Sequence, residues 1–507
     1  MQSRPLLKWL ACLVAGLFAT AYFFTVLPRI FYPYDLDFIE DSMLIQSMRF
    51  AEGQPVYIAP SAEFVPHVYM PLYSWLGGML FRVFGVSYVP LRMLSFVATL
   101  TTASVIGYVA WRECGEKWLA LVCAGLYLGG YRITGFWYEL VRVDSLFVTL
   151  SLTGMAFGLR VGPDGSVKLR RLLISAVVLT LAFLTKQTAL AFVGCVFIYL
   201  SLTVRRADSW RALVFFASVA GGITLWLVVL NLVTEGWFYY HVFAIAAADE
   251  IELERVVTYV GLELFWWMLG LSVMVVIAGA MSWRRARSIG GRGSGVFVLR
   301  SQPWLLAIGA AAVVSGVGRA SVGGNVNNLM PVYALLCLSP ALLWKEIHRE
   351  DAKDRKNNFA ISAPLRLIAG AILIQFVLGA YNPVRYIPTR AMRESGDRLI
   401  EQIRSIDGPV FVMMHPYYAW LAGKAPSAQI AELWYLKAWS GVPLPVDFVA
   451  RIEGRYYTAI ISSESMFETD AEIRGLIEQY YVQAEVIDGP PTLTGMGVRP
   501  RVILVPK

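Results

Sequence analysis

Long apolar runs separated by short polar connections fill the first three quarters of the chain. They lie at 10–27, 89–111, 118–136, 145–159, 172–184, 189–203, 213–233, 260–283, 304–317, 329–344 and 365–381. A helix needs about 20 residues to cross a hydrocarbon core of about 30 Å. The pattern therefore predicts a polytopic α-helical membrane protein with about eleven transmembrane helices. The run at 71–85 is apolar as well, but as a helix it reaches only some 20 Å and is expected to lie along the membrane interface. With a helix over 41–51, it makes the first outer loop, 28–88, a structured shelf.

After Tyr381 the pattern changes. An amphipathic helix over 394–406 and strands over 409–415, 457–462, 481–487 and 501–505 predict a small C-terminal α/β domain without a further span. The chain thus divides into a membrane unit, 1–381, and a soluble unit, 382–507.

Composition supports this division and charge orients it. Of the 507 residues, 57% are hydrophobic and 16% charged, far from a soluble globular chain. The basic connections at 112–117, 160–171, 205–211, 284–300 and 345–356 all fall on one side of the membrane. Such loops stay cytoplasmic, which puts the N-terminus inside. The first loop, the loop carrying Asp249, Glu250, Glu252 and Glu254, and the C-terminal domain are then extracytoplasmic. Topology accounts for the net charge of +8, and no nucleic-acid partner is implied. The first run contains Ala19-Thr20-Ala21, a signal-peptidase-like site, but stays apolar through Tyr22, Phe23 and Phe24 and reads as an uncleaved span. None of the five cysteines falls in the outer loops or tail, so no disulfide framework or cysteine-based metal site is expected. The stretch GGRGSG at 290–295 reads as a flexible linker rather than a phosphate cradle.

Candidate chemistry begins at YPYDLDFIEDSML, which sets Asp35, Asp37, Glu40 and Asp41 just after the first span. Helix capping accounts for Glu40 or Asp41, but not for Asp35 and Asp37, which precede the helix. Carboxylates partly desolvated at a bilayer boundary are suited to general-base chemistry. Opposite charge comes from Arg132 and Arg142 in YRITGFWYELVRVDS and from Lys186 in FLTKQTAL. Arg142 could pair with Asp144 or Glu139, and Lys186 could snorkel to head groups; an anionic lipid phosphate would satisfy all three cations. Acids for a proton and cations for a departing phosphate suggest group transfer from a lipid phosphate, which for a sugar is a single inverting displacement.

EDSMLIQSMRFAEGQPVY and VYMPLYSWLGGMLFRVFGVSYVPLRMLS, followed by RVDSLFVTLSLTGM, FLTKQTAL and GGNVNNLMPVYALLCLSPAL, resemble segments of the GT-C superfamily of integral-membrane glycosyltransferases in that family's order. The resemblance covers 34–343 and is strongest to the branch of lipid A aminoarabinose transferases and protein O-mannosyltransferases. It implies a GT-C-like fold, a polyprenyl-phosphate-linked sugar as donor, a lipid, glycan or protein acceptor, and transfer on the outer face of a bacterial cytoplasmic membrane. It also implies a catalytic acid in the first outer loop. By spacing to Gly53, Glu40 matches the first member of the family's Asp-Glu pair and Asp41 the second, in reversed order. Glu40 therefore ranks first as base, Asp37 and Asp41 follow, and Asp35 is last. Met70 stands where some members carry a phosphate-binding lysine, which shifts that contact to Lys186, Arg142 or Arg132.

No cofactor is expected, and a divalent metal is left open; His67, His241 and His415 are far apart in sequence. Beyond His415, Tyr417, Tyr418 and Trp420 are read either as acceptor contacts or as core packing. Two rival readings are a lipid or glycan transporter and a non-catalytic membrane subunit. Transporters commonly show repeated halves and helices broken near the midplane, and the sequence displays neither.

Overall fold

The computed structural model describes residues 3–248, 250–289, 294–351 and 362–507. Asp249, most of the glycine-rich stretch (290–293) and the end of the basic connection (352–361) lie outside the described residues. The membrane unit opens with α1 (Ser3–Ile30), α2 (Ile39–Glu52), α3 (Leu72–Phe84), α4 (Tyr88–Cys114) and α5 (Lys117–Gly129). It continues with α6 (Asp144–Gly158), α7 (Leu169–Phe183), α8 (Leu190–Thr203) and α9 (Ser209–Val233). Small residues let these helices approach closely. A Cβ on Gly125 would lie 2.6 Å from the Ala15 side chain of α1, and one on Gly154 would lie 2.6 Å from Leu179 of α7.

Six helices are long and apolar enough to cross a membrane among the described residues. They are Leu6–Ile30, Tyr88–Cys114, Arg206–Val233, Leu269–Ser288, Pro303–Ala320 and Val326–Arg349, and the bent pair Leu365–Gly379 with Pro383–Ser405 would make seven. The expected count of eleven is therefore not confirmed. At 13, 15, 15 and 14 residues, α5, α6, α7 and α8 are short of a full span. The apolar run at 118–136 stops as a helix at Gly129, where a series of turns carries the chain to Asp144. Apolarity there reports burial within the bundle: most of α6 is enclosed by protein. The run at 260–283 is also divided, into a π-helix over Tyr259–Trp266 and a helix over Leu269–Ile289.

The shelf after α1 forms as its pattern predicts. Helix α2 ends on Gly53 in the left-handed conformation (φ +73°), and α3 packs on it through Gly77 and Gly78. A Cβ on Gly78 would lie 2.6 Å from Phe50, so only glycine allows this approach. The opposite flank of α3 leaves Trp75, Met79, Val83 and Phe84 exposed, as an interfacial helix requires.

In the C-terminal unit, a helix over Arg390–Ser405 buries Leu399, Ile400 and Ile403, and the Thr389 side chain caps its start. A four-stranded sheet follows: β1 (Val410–Val412), β2 (Ala459–Ser462), β3 (Tyr481–Val486) and β4 (Val502–Pro506), in spatial order β1-β2-β4-β3. The β1/β2 pair is parallel and the other two pairs are antiparallel. The strand expected over 409–415 ends at Val412, because the chain turns there to deliver His415 and the helix Pro416–Leu421 to the first loop.

Candidate active site

The four carboxylates of the first loop divide into three tasks. Glu40 sits in the first turn of α2 and receives Arg92 of α4 in a bidentate pair, Nε to Oε1 at 2.9 Å and Nη2 to Oε2 at 2.6 Å. Its two oxygens also accept the backbone N–H groups of Leu36 (2.6 Å) and Val141 (2.9 Å). Arg92 spends its remaining donors on the carbonyls of Arg29, Tyr32 and Tyr34. Both side chains are fully buried. The first-ranked base of the sequence reading is thus held as a suture between α1, the loop, α2 and α4.

Asp35 and Asp41 dock the C-terminal unit. Asp35 accepts the Tyr418 hydroxyl at 2.5 Å and meets His415 Nδ1 at 3.0 Å. Asp41 accepts the hydroxyl of Tyr88 and, at 3.1 Å, the backbone N–H of Tyr417. Burial and the neighbouring Asp35 push the Asp41 carboxyl well above the usual range. Burial opposes the His415 imidazolium, yet Asp35 beside it raises its pKa. Tyr417 and Tyr418 are buried in this seam, as the core-packing alternative expects, and Trp420 beyond them is exposed.

Asp37 is different. Its Oδ1 accepts from Arg142 Nη1 at 3.1 Å and from the backbone N–H of Ile39 at 3.2 Å, while Oδ2, equally buried, has no donor. Burial lifts this carboxyl to about 6 against the pull of Arg142, with Glu40 adding to the rise. Arg142 also donates to the Tyr69 hydroxyl at 2.8 Å and lies over the Trp137 ring at 4.3 Å. Its Nε is 3.5 Å from Asp144 Oδ2. Asp144, at the start of α6, then receives Lys186 Nζ at 2.9 Å and Asn327 Nδ2 at 3.0 Å. Lys186 also donates to Asn328 at 3.0 Å. A row of alternating charge, Asp37, Arg142, Asp144, Lys186, therefore crosses the site.

The sequence reading named three of these four and saw Asp144 only as a competing partner. Glu139 goes instead to Arg29 (2.5 Å) and Tyr131 (2.7 Å). Arg132 does not join: it is exposed, and it donates to the Ala380 carbonyl at 2.7 Å. Asn327, Asn328 and Tyr69 sit in segments that drew notice without a role for these residues. The roof of the site has no sequence signal at all; there a Cβ on Gly495 would lie 2.3 Å from Asp37 Oδ2. That roof is tied down by Leu493 and Thr494, whose N–H groups donate to the Leu36 carbonyl at 3.1 and 2.9 Å.

An apolar cavity of about 630 Å³ opens beside this row, between α3, the end of α7 and the end of α9. Pro71, Leu72, Trp75, Leu184, Trp226 and Trp237 help line it. The Leu72 N–H bonds the Leu184 carbonyl at 2.9 Å, which ties the cavity wall to the segment two residues before Lys186. The histidines serve elsewhere: His67 meets Glu432 at 2.6 Å and His241 meets the Ile58 carbonyl at 2.8 Å. Among the described residues, no group of three or more His, Cys, Asp or Glu side chains is placed to hold a metal ion.

Residues 66–233 match the family described as dolichyl-phosphate-mannose-protein mannosyltransferase. A comparison with curated proteins gives no match. The fold is similar to that of ArnT from Cupriavidus metallidurans in the apo state, with a TM-score of 0.60 and 14% identity over 97% of both chains. The same protein bound to undecaprenyl phosphate gives a TM-score of 0.59 at 14% identity, again over 97% of each chain. The archaeal oligosaccharyltransferase AglB from Archaeoglobus fulgidus, in complex with an inhibitory peptide and a dolichol-phosphate, gives 0.50 at 11% identity over 95% of this chain and 73% of that one. The chain therefore shares the fold of these membrane proteins, and its stretch 66–233 is similar to the mannosyltransferase family.

Proposed function

We propose that the chain is an inverting glycosyltransferase that moves a sugar from a polyprenyl phosphate to a hydroxyl acceptor on the outer face of a bacterial cytoplasmic membrane, with Asp37 as the base. The observation that carries this reading is the Asp37 carboxyl: buried, tied to Arg142 by one oxygen, and left with the other oxygen unpartnered. Glu40, whose oxygens are all engaged, is a support in this reading, and Asp41 and Asp35 hold the C-terminal unit in place.

Asp37 Oδ2 takes the acceptor proton as the acceptor oxygen attacks the anomeric carbon. The bond from that carbon to the phosphate oxygen breaks, and the leaving phosphate departs with the electron pair. Lys186 and Arg142 face the charge that develops on it. The apolar cavity takes the first part of the polyprenyl chain, and two neighbours in fold bind such lipids, undecaprenyl phosphate in one and dolichol-phosphate in the other. In this scheme the two cations supply the stabilisation that a metal would otherwise give, and transfer is expected to be unchanged by EDTA.

The test is transfer from a radiolabelled polyprenyl-phosphate sugar in membranes containing the wild-type chain or Asp37→Asn. Loss of transfer with retained binding of the donor is expected. An Asp37→Asn chain as active as wild type would overturn the assignment.

A further inference from the structure

Far from the carboxylates, the opposite end of the bundle carries a second concave site. Helix α4 starts at Tyr88 beside Asp41 and reaches Arg112 some 36 Å away at about 1.5 Å per residue. There a cavity of about 330 Å³ is lined by Arg112, Arg160, Lys168, Arg171, Arg300 and Lys345. This is the lower end of the roughly 300–1,000 Å³ typical of ligand sites. Glu113 is the one acid in the lining, and it is bonded to Lys345.

A general excess of Lys and Arg on one membrane face does not explain this gathering. Other cations on the same face have carboxylates: Arg205 and Arg211 share Asp208 at 2.8 and 2.9 Å, and Arg285 and Arg349 share Glu346 at 3.2 and 3.1 Å. Arg112, Arg160, Lys168, Arg171 and Arg300 form no ion pair among the described residues. Like charges brought together around one cavity repel unless an anion sits between them, and guanidinium forks match the oxygens of a phosphate.

The mouth of the cavity indicates where that anion comes from. Arg112 and Arg160, both in the lining, lie 5.9 and 5.4 Å from the Tyr108 ring. Tyr108 and Trp111 are 45% and 44% exposed on α4, the placement of aromatic side chains at a membrane–water boundary. We infer that this cavity is a binding site for the phosphate of an anionic phospholipid, reached from the bilayer. Basic pockets between transmembrane helices take lipid head groups in this way.

The purified full-length chain in detergent is titrated with phosphatidylglycerol, phosphatidylcholine or inorganic phosphate, and bound molecules are counted by native mass spectrometry. Phosphatidylglycerol should bind tightly and phosphatidylcholine should not. Each cation removed weakens binding roughly fivefold, so Arg160→Gln with Arg171→Gln loses about 25-fold. Arg390→Gln, in the C-terminal unit, changes nothing. If the double variant fails to fold, the exposed Lys168→Gln alone carries the test, with an expected fivefold loss. Equal binding of both phospholipids, or undiminished binding in the variants, overturns the proposal. Inorganic phosphate that fills the site and displaces phosphatidylglycerol at equal concentration overturns its lipid source.

Discussion

Asp37 and Arg142 form an asymmetric pair: the guanidinium is held by the carboxylate at 3.1 Å, by Tyr69 and by the Trp137 ring, whereas the carboxylate keeps one buried oxygen without a donor. Such an arrangement fixes the base and leaves its reactive oxygen free. It also costs stability. With a folded-state pKa of about 6 against 3.8 for the free group, protonation of Asp37 favours the folded chain. That contribution is full below 3.8 and is lost as pH rises through about 6, so at neutral pH the ionised group costs ~3 kcal/mol at 1.36 kcal/mol per pH unit. Asp37→Asn is expected to lower transfer about 10²- to 10⁴-fold while raising the melting temperature, the loss of one Arg142 partner offsetting part of the gain. A variant both inactive and less stable would mean that Asp37 is structural.

The same carboxyl sets an acid limit to the reaction. The base works only when ionised, so kcat/KM should fall below a pH of about 6 with a slope of one proton. A profile flat down to pH 4.5 would exclude Asp37 as the proton acceptor.

How far this arrangement could be read beforehand depends on the range of each interaction. The shelf was legible because α2 and α3 carry local signals, an apolar period and glycines at their ends. That the acidic cluster, Arg142 and Lys186 were candidates was legible from the cost of charge near lipid. Which acid does what was not. Glu40 and Asp37 differ through Arg92 and Arg142, which lie 52 and 105 residues away in the chain. Asp35 and Asp41 differ from both through partners in the C-terminal unit, more than 370 residues on. The span count was not fixed by the pattern for a related reason: α6 is apolar with protein around most of it, and a sequence window does not separate protein from lipid.

Glu40→Gln tests the division of labour. Removing one member of a fully buried bidentate pair leaves Arg92 uncompensated, which costs about 3–5 kcal/mol. The yield of folded protein and its melting temperature should fall. Adding Arg92→Met should restore much of the loss, because the unpaired charge is then gone. A Glu40→Gln chain with wild-type stability and no transfer would return the base to Glu40.

Lys186→Gln keeps the hydrogen bond to Asn328 within reach but removes the charge beside Asp144. Donor KM is expected to rise about tenfold, with a further drop in kcat because the departing phosphate loses a cation. Arg132→Gln, exposed and bonded only to the Ala380 carbonyl, should leave both constants unchanged. Equal effects of the two substitutions on donor KM would remove Lys186 from the phosphate site.

Gly495 shows how the C-terminal unit bears on the reaction. Its φ of +68° disfavours any side chain, and a Cβ there would stand 2.3 Å from Asp37 Oδ2 and 3.1 Å from the Trp137 ring. The loop cannot simply lift to make room, since Leu493 and Thr494 are bonded to the Leu36 carbonyl and Thr494 accepts from Arg29 at 2.7 Å. Gly495→Ala must therefore displace the roof or turn the carboxylate away from its free-oxygen position. Transfer should fall at least tenfold while the domain seam at Asp35 and Asp41, built from other residues, stays intact. The expected signature is a small loss of melting temperature, about 1–3 kcal/mol of strain, alongside a large loss of kcat. Wild-type kcat in Gly495→Ala would show that the roof does not press on the Asp37 carboxyl during turnover.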